Sequence, residues 1–238
     1  MGIFTSVERL ATYYKRHGLW ATVQRFTLEV RRSLFSGHQV VFHCDLADYA
    51  SHQQALPISL RVERKKDYSE LSLQDLHEIV SFWNPTLAQR NIEERLAKEA
   101  SLWLIKSEGR LAGYGWTSQG RTIAPHYFPL GSYDVHFFDF YVFPQYRGRG
   151  INPLLVTHIL HSLAADSRGR AFIEAAEWNE AQLSSLAKTP FHRLGWVRMV
   201  TVFGRTIVWW EQREGLQDYQ KQMGKTPLVA SPPRRNSA

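Results

Sequence analysis

The sequence predicts an α/β (α+β) domain in which helices flank a mixed sheet. Three features predict it. Residues 137–143 (FFDFYVF) are aromatic and β-branched and lead through a Gly-rich turn into a helix-periodic stretch. Short apolar or alternating runs bounded by turn residues lie on both sides of that unit. Helix-periodic stretches separate those runs. With 238 residues, 44% hydrophobic and 13% aromatic, the chain can pack one sizeable core.

The elements follow in order. Residues 3–35 read as a helix broken once, at Gly18, with one apolar stripe through Phe4, Val7, Leu10, Ala11 and Tyr14 and a second from Leu19 to Leu34. Residues 40–46 form a strand. Residues 58–64 alternate as a half-buried strand does. A helix over 72–83 starts at the Ser72-x-x-Asp75 pair and stops at Asn84-Pro85, and a second helix covers 86–100. Strands at 102–106 and 111–117 are joined by a Ser-Glu-Gly-Arg hairpin turn, and Gly113 and Gly115 thin the second for a bulge or a close ligand. A Gly- and Pro-punctuated loop, 118–134, precedes the central strand and carries His126. After the central helix come a strand at 171–177, a helix at 180–187 and antiparallel strands at 197–203 and 206–210. Residues 215–238 turn polar and are expected to form a disordered basic tail.

The central turn suggests chemistry. Pro144 cannot donate to a ladder and ends the strand. Gly148 and Gly150 flank Arg149, Asn152 suits a helix N-cap, and Pro153 suits the first helical position. Helix-opening amides lack internal partners and carry the positive end of the dipole. Glycines leave such a turn uncovered, and Arg147 and Arg149 add charge, so a phosphate or pyrophosphate is the expected ligand. Neither GxGxxG nor GxxxxGK[ST] occurs.

With Gln145, Gly148 and Gly150 at its defining positions, residues 145–150 resemble the Q/R-x-x-G-x-G/A signature of the GNAT (GCN5-related) N-acetyltransferase superfamily, and Tyr141-Val142-Phe143-Pro144 matches its lead-in strand. The resemblance covers about residues 57–211 and leaves 1–50 as an N-terminal amphipathic helical extension with a short strand. It implies a mostly antiparallel sheet splayed at a central parallel pair, with acetyl-CoA or another acyl-CoA in the gap. By the same resemblance Gln145, Tyr146, Arg147, Gly148, Arg149, Gly150, Ile151 and Asn152 bind the CoA pyrophosphate. Phe140, Tyr141 and Val142 align the pantetheine arm, and Asn179 either contacts CoA or caps the next helix. The acceptor amine must lose a proton, so a carboxylate should face the thioester. Asp139, in the central strand, is either the first candidate for general base or a buried aspartate bonded to a neighbouring strand or to His136; Glu174 and Glu177 are alternatives for the base, and His126 is another. One departure stands out. Phe191 occupies the position where many relatives place a tyrosine as acid for the thiolate, which leaves water, His192 or Tyr146.

The formal charge of +7 favours anionic partners. Residues 1–38 carry six Lys/Arg against two acids, so residues 3–35 could lie on an anionic bilayer or pack on the domain with their charges solvated. A cytoplasmic protein, peripheral at the inner membrane face under the first reading, is expected. The one cysteine, Cys44, sits in an apolar run and reads as a structural thiol. The histidines form no metal motif, so no metal is expected, and no basic–aromatic pattern points to nucleic acid. The expected acceptor is a small-molecule or peptide amine, with an amino sugar, an amino acid, a small amine and a protein N-terminus all open. Trp83, Trp103, Trp116, Tyr114, Tyr127 and Phe128 either wall its pocket or, as aromatics in this number more often do, form core. Oligomeric state is not legible.

Overall fold

The computed structural model describes residues 38–49, 56–81, 85–120, 130–165, 169–202 and 205–213. The helices expected over 3–35, His126 and the tail lie outside them. Eight strands, β1 (His38–Asp45), β2 (Leu60–Lys65), β3 (Ser101–Ser107), β4 (Arg110–Gln119), β5 (Val135–Val142), β6 (Arg170–Ala176), β7 (His192–Val202) and β8 (Arg205–Arg213), form one sheet. Their order is β2-β3-β4-β5-β6-β1-β7-β8. All neighbours are antiparallel except β5 and β6. Helices α1 (Leu73–Ser81) and α2 (Pro85–Ala97) cover one face, and α3 (Ile151–Ala164) and α4 (Glu180–Leu186) cover the other.

Local chemistry explains most boundaries. Ser72 Oγ accepts the amide of Asp75 at 3.0 Å and opens α1. The β3–β4 hairpin turns on Glu108 and Gly109, both at positive φ (51° and 80°), the handedness that matches strand twist. Asp75 is buried, and its carboxylate meets Lys106 Nζ at 2.9 Å, while Glu63 lies 3.5 Å from the same ammonium. Burial pulls the Lys106 pKa down, but the hydrogen bonds and charges of Asp75 and Glu63 outweigh it and leave the group raised. This network fastens α1 to β2 and β3.

Two sequence expectations change. The N-terminal strand, expected outside the family core, is paired on both sides, to β6 and to β7. Val40, Phe42 and Cys44 face the α3 side and Val41 faces the other, all buried, which suits an interior strand. The Cys44 thiol is pushed up to about 12, first by burial and then by Asp45 and Asp48, as befits a structural residue. The second change is the start of α3. Gly150, left-handed at φ 72°, occupies the cap position, so Asn152 and Pro153 fall second and third in the helix. Asn152 Nδ2 donates instead to Ser185 Oγ on α4 at 2.8 Å.

Two half-buried histidines give the fold an acid limb. His43 is lowered by burial and then by His192 and Arg170, against Asp45; His158 is lowered by burial and then by His161. Each binds its proton less readily folded than unfolded, so their stability contribution is complete above the ordinary histidine value of about 6.5 and is lost as pH falls below it. Melting curves from pH 7.5 to 5 should show Tm falling on the acid side, and less steeply in His43→Gln. An acid limb unchanged by that substitution would remove His43 as a cause.

No helix among the described residues is long and apolar enough to cross a membrane.

Candidate active site

The site begins where β5 and β6 part. Their parallel ladder comprises Val135–Ala171, His136–Phe172 and Phe137–Ile173. Beyond it β5 continues along β4 to Val142, and β6 continues along β1 to Ala176, so a gap opens between them. At its root His136 Nε2 lies 3.0 and 2.9 Å from the two carboxylate oxygens of Glu174, the first β6 residue past the ladder. That contact ties the two strands together where the backbone no longer does.

A bulge shapes the β5 edge. The β4–β5 register slips between Tyr114 and Trp116, setting Gly115 opposite the extra residue. Phe137, Phe140 and Val142 pack towards α3, whereas Phe138 and Tyr141 pack towards α1 and α2. Simple alternation cannot put 137 and 140 on one face, and Asp139 absorbs the difference at φ 52°. An added Cβ on Gly115 would lie 2.2 Å from the Phe140 ring, so the glycine expected to thin β4 makes room for that ring. The Phe140 ring stacks on Phe137 at 6.0 Å.

The turn that follows is open. None of the amides from Gly148 to Asn152 has a hydrogen-bond partner among the described residues; the first bond of α3 is Leu154 N–H to Gly150 O. Gly148 and Gly150 sit at φ 75° and 72°, and a Cβ on either would meet nothing within 4 Å. The residues that carry them, Arg149 excepted, border a cleft of about 500 Å³ between this turn and α4. Phe140, Tyr141, Val142, Tyr146, Arg147, Gly148, Gly150, Ile151, Asn152 and Asn179 all line it; Gln145 and Arg149 do not. Arg147 Nε donates to Val142 O at 3.2 Å, and the Arg149 guanidinium lies over the Tyr146 ring at 5.7 Å. Asn179 caps α4, its Oδ1 accepting the Gln182 amide at 3.2 Å, and it also lines the cleft. The α4 side adds Gln182, Ser184, Ser185 and Lys188, which sequence reasoning missed. A short helix far along the chain gave no signal except the cation closing it. A cradle of unpartnered amides beside cationic side chains fits a diphosphate.

A second cavity, of about 380 Å³, lies on the opposite face. Asp139 lines it, next in sequence to Phe140, which lines the cleft. The two spaces therefore approach each other at the bulge. Asp139 forms an ion pair with Arg95 of α2, and the Arg95 guanidinium lies 5.1 and 5.4 Å over the Trp116 and Phe138 rings. Tyr114 and Trp116 line this cavity and are also part of the buried core. Trp103 is core, its indole donating to Thr117 Oγ1 at 2.9 Å, and Trp83, Tyr127 and Phe128 lie outside the described residues. Of the other carboxylates, Glu174 is engaged by His136, and Glu177 lies 3.4 Å from His38 Nδ1 just past β6; neither borders the two cavities. Phe191 is buried, edge-on to Phe137, and His192 sits opposite His43 across the β1–β7 pairing, so of the proposed acids only Tyr146 borders the cleft. Among the described residues no cluster of His, Cys, Asp or Glu could hold a metal ion.

The splayed sheet thus ends its gap beside a turn of open backbone amides. The family model described as acetyltransferase (GNAT) family matches residues 64–196, more than half of the chain, and the chain belongs to that family, whose acyltransferases use acyl-CoA. The match begins within β2 and excludes β1, although β1 is paired in the middle of the sheet. The chain is also similar, at low identity and over part of its length, to solved structures. A GNAT acetyltransferase of Colwellia psychrerythraea is 12% identical, with a TM-score of 0.47 over 66% of this chain and 52% of its own. An IAA acetyltransferase of Bacillus cereus is 15% identical, at 0.41 over 60% and 79%. A predicted acetyltransferase of Clostridium acetobutylicum, solved with acetyl-CoA, is 13% identical, at 0.39 over 54% and 87%. The chain spans 59% of a conserved Staphylococcus epidermidis protein of unknown function, so it covers only part of several structures it resembles. No curated protein matches the sequence.

Proposed function

We propose that the chain is an acyl-CoA-dependent N-acyltransferase that moves an acetyl or other short acyl group directly to a primary amine. The observation that carries this reading is the run of unpartnered amides from Gly148 to Asn152, open to a cleft that approaches a second cavity at Asp139–Phe140. The diphosphate rests on the cradle, and the pantetheine arm runs along β5 into the gap. The acceptor enters from the α1–α2 face. Asp139 first takes a proton from the acceptor's ammonium and passes it to solvent, and the freed lone pair attacks the thioester carbonyl, forming the C–N bond as the C–S bond breaks. The second N–H proton, acidified in the adduct, is lost to solvent. The CoA thiolate leaves with a proton from water or from Tyr146, a role that the buried Phe191 ring cannot fill.

The test is thiol release from acetyl-, propionyl- and longer-chain CoA over panels of amines, with calorimetric titration of acetyl-CoA in parallel. Binding in the micromolar range and release above the no-amine rate are expected. The absence of binding to any CoA thioester would sink the reading. The loss of the family's tyrosine at Phe191 favours a second reading, a CoA-binding regulatory or scaffolding module without turnover. That module would bind acetyl-CoA and release no thiol.

A further inference from the structure

The cavity on the α1–α2 face combines two properties. Its walls are mostly apolar: Ile79, Ile92, Leu102 and Trp116, with Leu87 exposed at 58%. Yet it holds one cation and one anion side by side, Arg95 and Asp139. Both side chains keep part of their surface open, 23% for Arg95 and 47% for Asp139, so a solute entering the cavity can reach them. Asp139 also keeps a left-handed backbone at φ 52°, a strain that Asp and Asn bear more readily than other non-glycine residues.

The pair is only partly used. Among the described residues Arg95 engages Asp139 through Nη1 alone, and Asp139 engages Arg95 through Oδ2 alone. The remaining guanidinium donors and the second carboxylate oxygen are available to a ligand. The guanidinium is steadied by the faces of Trp116 and Phe138, so it needs little reorganisation to receive an anion.

We infer that the acceptor is a free α-amino acid with an apolar side chain; this rests on the acyltransferase reading above. An adjacent cation and anion are the complement of a zwitterion, whose carboxylate and ammonium share one carbon. The carboxylate meets Arg95, bidentate on its free edge. The ammonium meets Asp139, the end of the cavity nearest the CoA cleft, where the amine must lie to reach the thioester. The side chain lies against Leu102, Trp116 and α2. A volume of about 380 Å³ suits one amino acid and is small for a nucleotide-linked or oligomeric acceptor. An amino sugar would bring several hydroxyls to walls that offer few polar groups besides Asn91 and Tyr114.

The full chain is assayed for thiol release from acetyl-CoA with leucine, methionine and phenylalanine, and with phenethylamine, phenylalanine methyl ester, glucosamine and a peptide with N-terminal phenylalanine. The amino acids should be accepted with kcat/KM at least tenfold above the compounds that lack the carboxylate. Arg95→Gln should raise KM for phenylalanine tenfold or more, far more than for phenethylamine, and leave the Kd for acetyl-CoA unchanged; Arg95→Lys should restore part of the loss. Phenethylamine, the ester, the peptide or glucosamine performing as well as the amino acids would overturn the inference, as would an Arg95→Gln defect equal for all amines. Calorimetry with phenylalanine, leucine and methionine separates the two claims. If acetyl-CoA binds and no amine is turned over, the function fails, but amino-acid binding lost in Arg95→Gln still supports the pocket. No binding of any of the three overturns it.

Discussion

Gly150→Asp should weaken acetyl-CoA binding at least a hundredfold at low salt, whereas Gly150→Asn, almost the same size and neutral, should weaken it less than tenfold. The contrast follows from what surrounds the residue. A Cβ at position 150 meets nothing within 4 Å, so bulk alone closes nothing. The left-handed backbone at φ 72° costs any L-residue about 1–2 kcal/mol, and Asn and Asp least. That cost falls on the folded state with or without CoA, so it lowers Tm in both variants and leaves Kd alone. The carboxylate acts on Kd. A negative charge at about 4 Å from a phosphate costs roughly 1 kcal/mol in bulk water and 4 kcal/mol near a protein surface, and the diphosphate carries more than one charge. At low salt the Asp variant should bind at least a hundredfold more weakly, and added salt should narrow the gap to Asn. Gly148, at φ 75° and equally open, should behave the same way. Calorimetric titration of the wild type and the four variants at two ionic strengths measures it. Equal Kd values for Asp and Asn would mean that no anion sits on these amides.

The parts of this site that were legible beforehand are those written locally. The strand–turn–helix unit carried its own punctuation, and ten of the twelve residues expected to meet CoA line one cleft. The bulge was half legible: Gly115 announced a close approach, but that Asp139 is the extra residue depends on how β4 and β5 align. Position β1 depended on pairing across more than a hundred residues of chain, which no window of sequence contains. Arg95 escaped notice for a different reason. On a charged helix face an arginine reads as solvated, and only the fold brings Trp116, Phe138 and Asp139 beneath it. Asn152 misled because an Asn-Pro pair after glycine looks like a cap and first turn. The left-handed Gly150 had already ended the turn, leaving the Asn152 amide to Ser185.

Asp139→Asn should lower kcat by about a hundredfold or more, within the 10²–10⁴ range usual for a lost general base, and leave the Kd for acetyl-CoA unchanged. Asp139 borders the cavity on the α1–α2 face and not the cleft beside Gly148 and Gly150, so on the proposed reading binding of the carrier does not test it. Its bond to Arg95 raises a rival explanation, that the substitution merely frees the guanidinium and disorders the pocket. Two comparisons separate the roles. A base is needed only while the amine carries its proton, so the defect should shrink as pH rises through about 8 to 10, where free amines become neutral in water. A disordered pocket would keep its defect at every pH. Glu174→Gln is the second comparison. Both its oxygens are engaged by His136 at the root of the splay, and it borders neither cavity. It should therefore keep kcat within about tenfold of wild type. Should Glu174→Gln lose more than Asp139→Asn, or should the Asp139→Asn defect hold constant with pH, the proton leaves by another route and Asp139 serves to hold Arg95 in place.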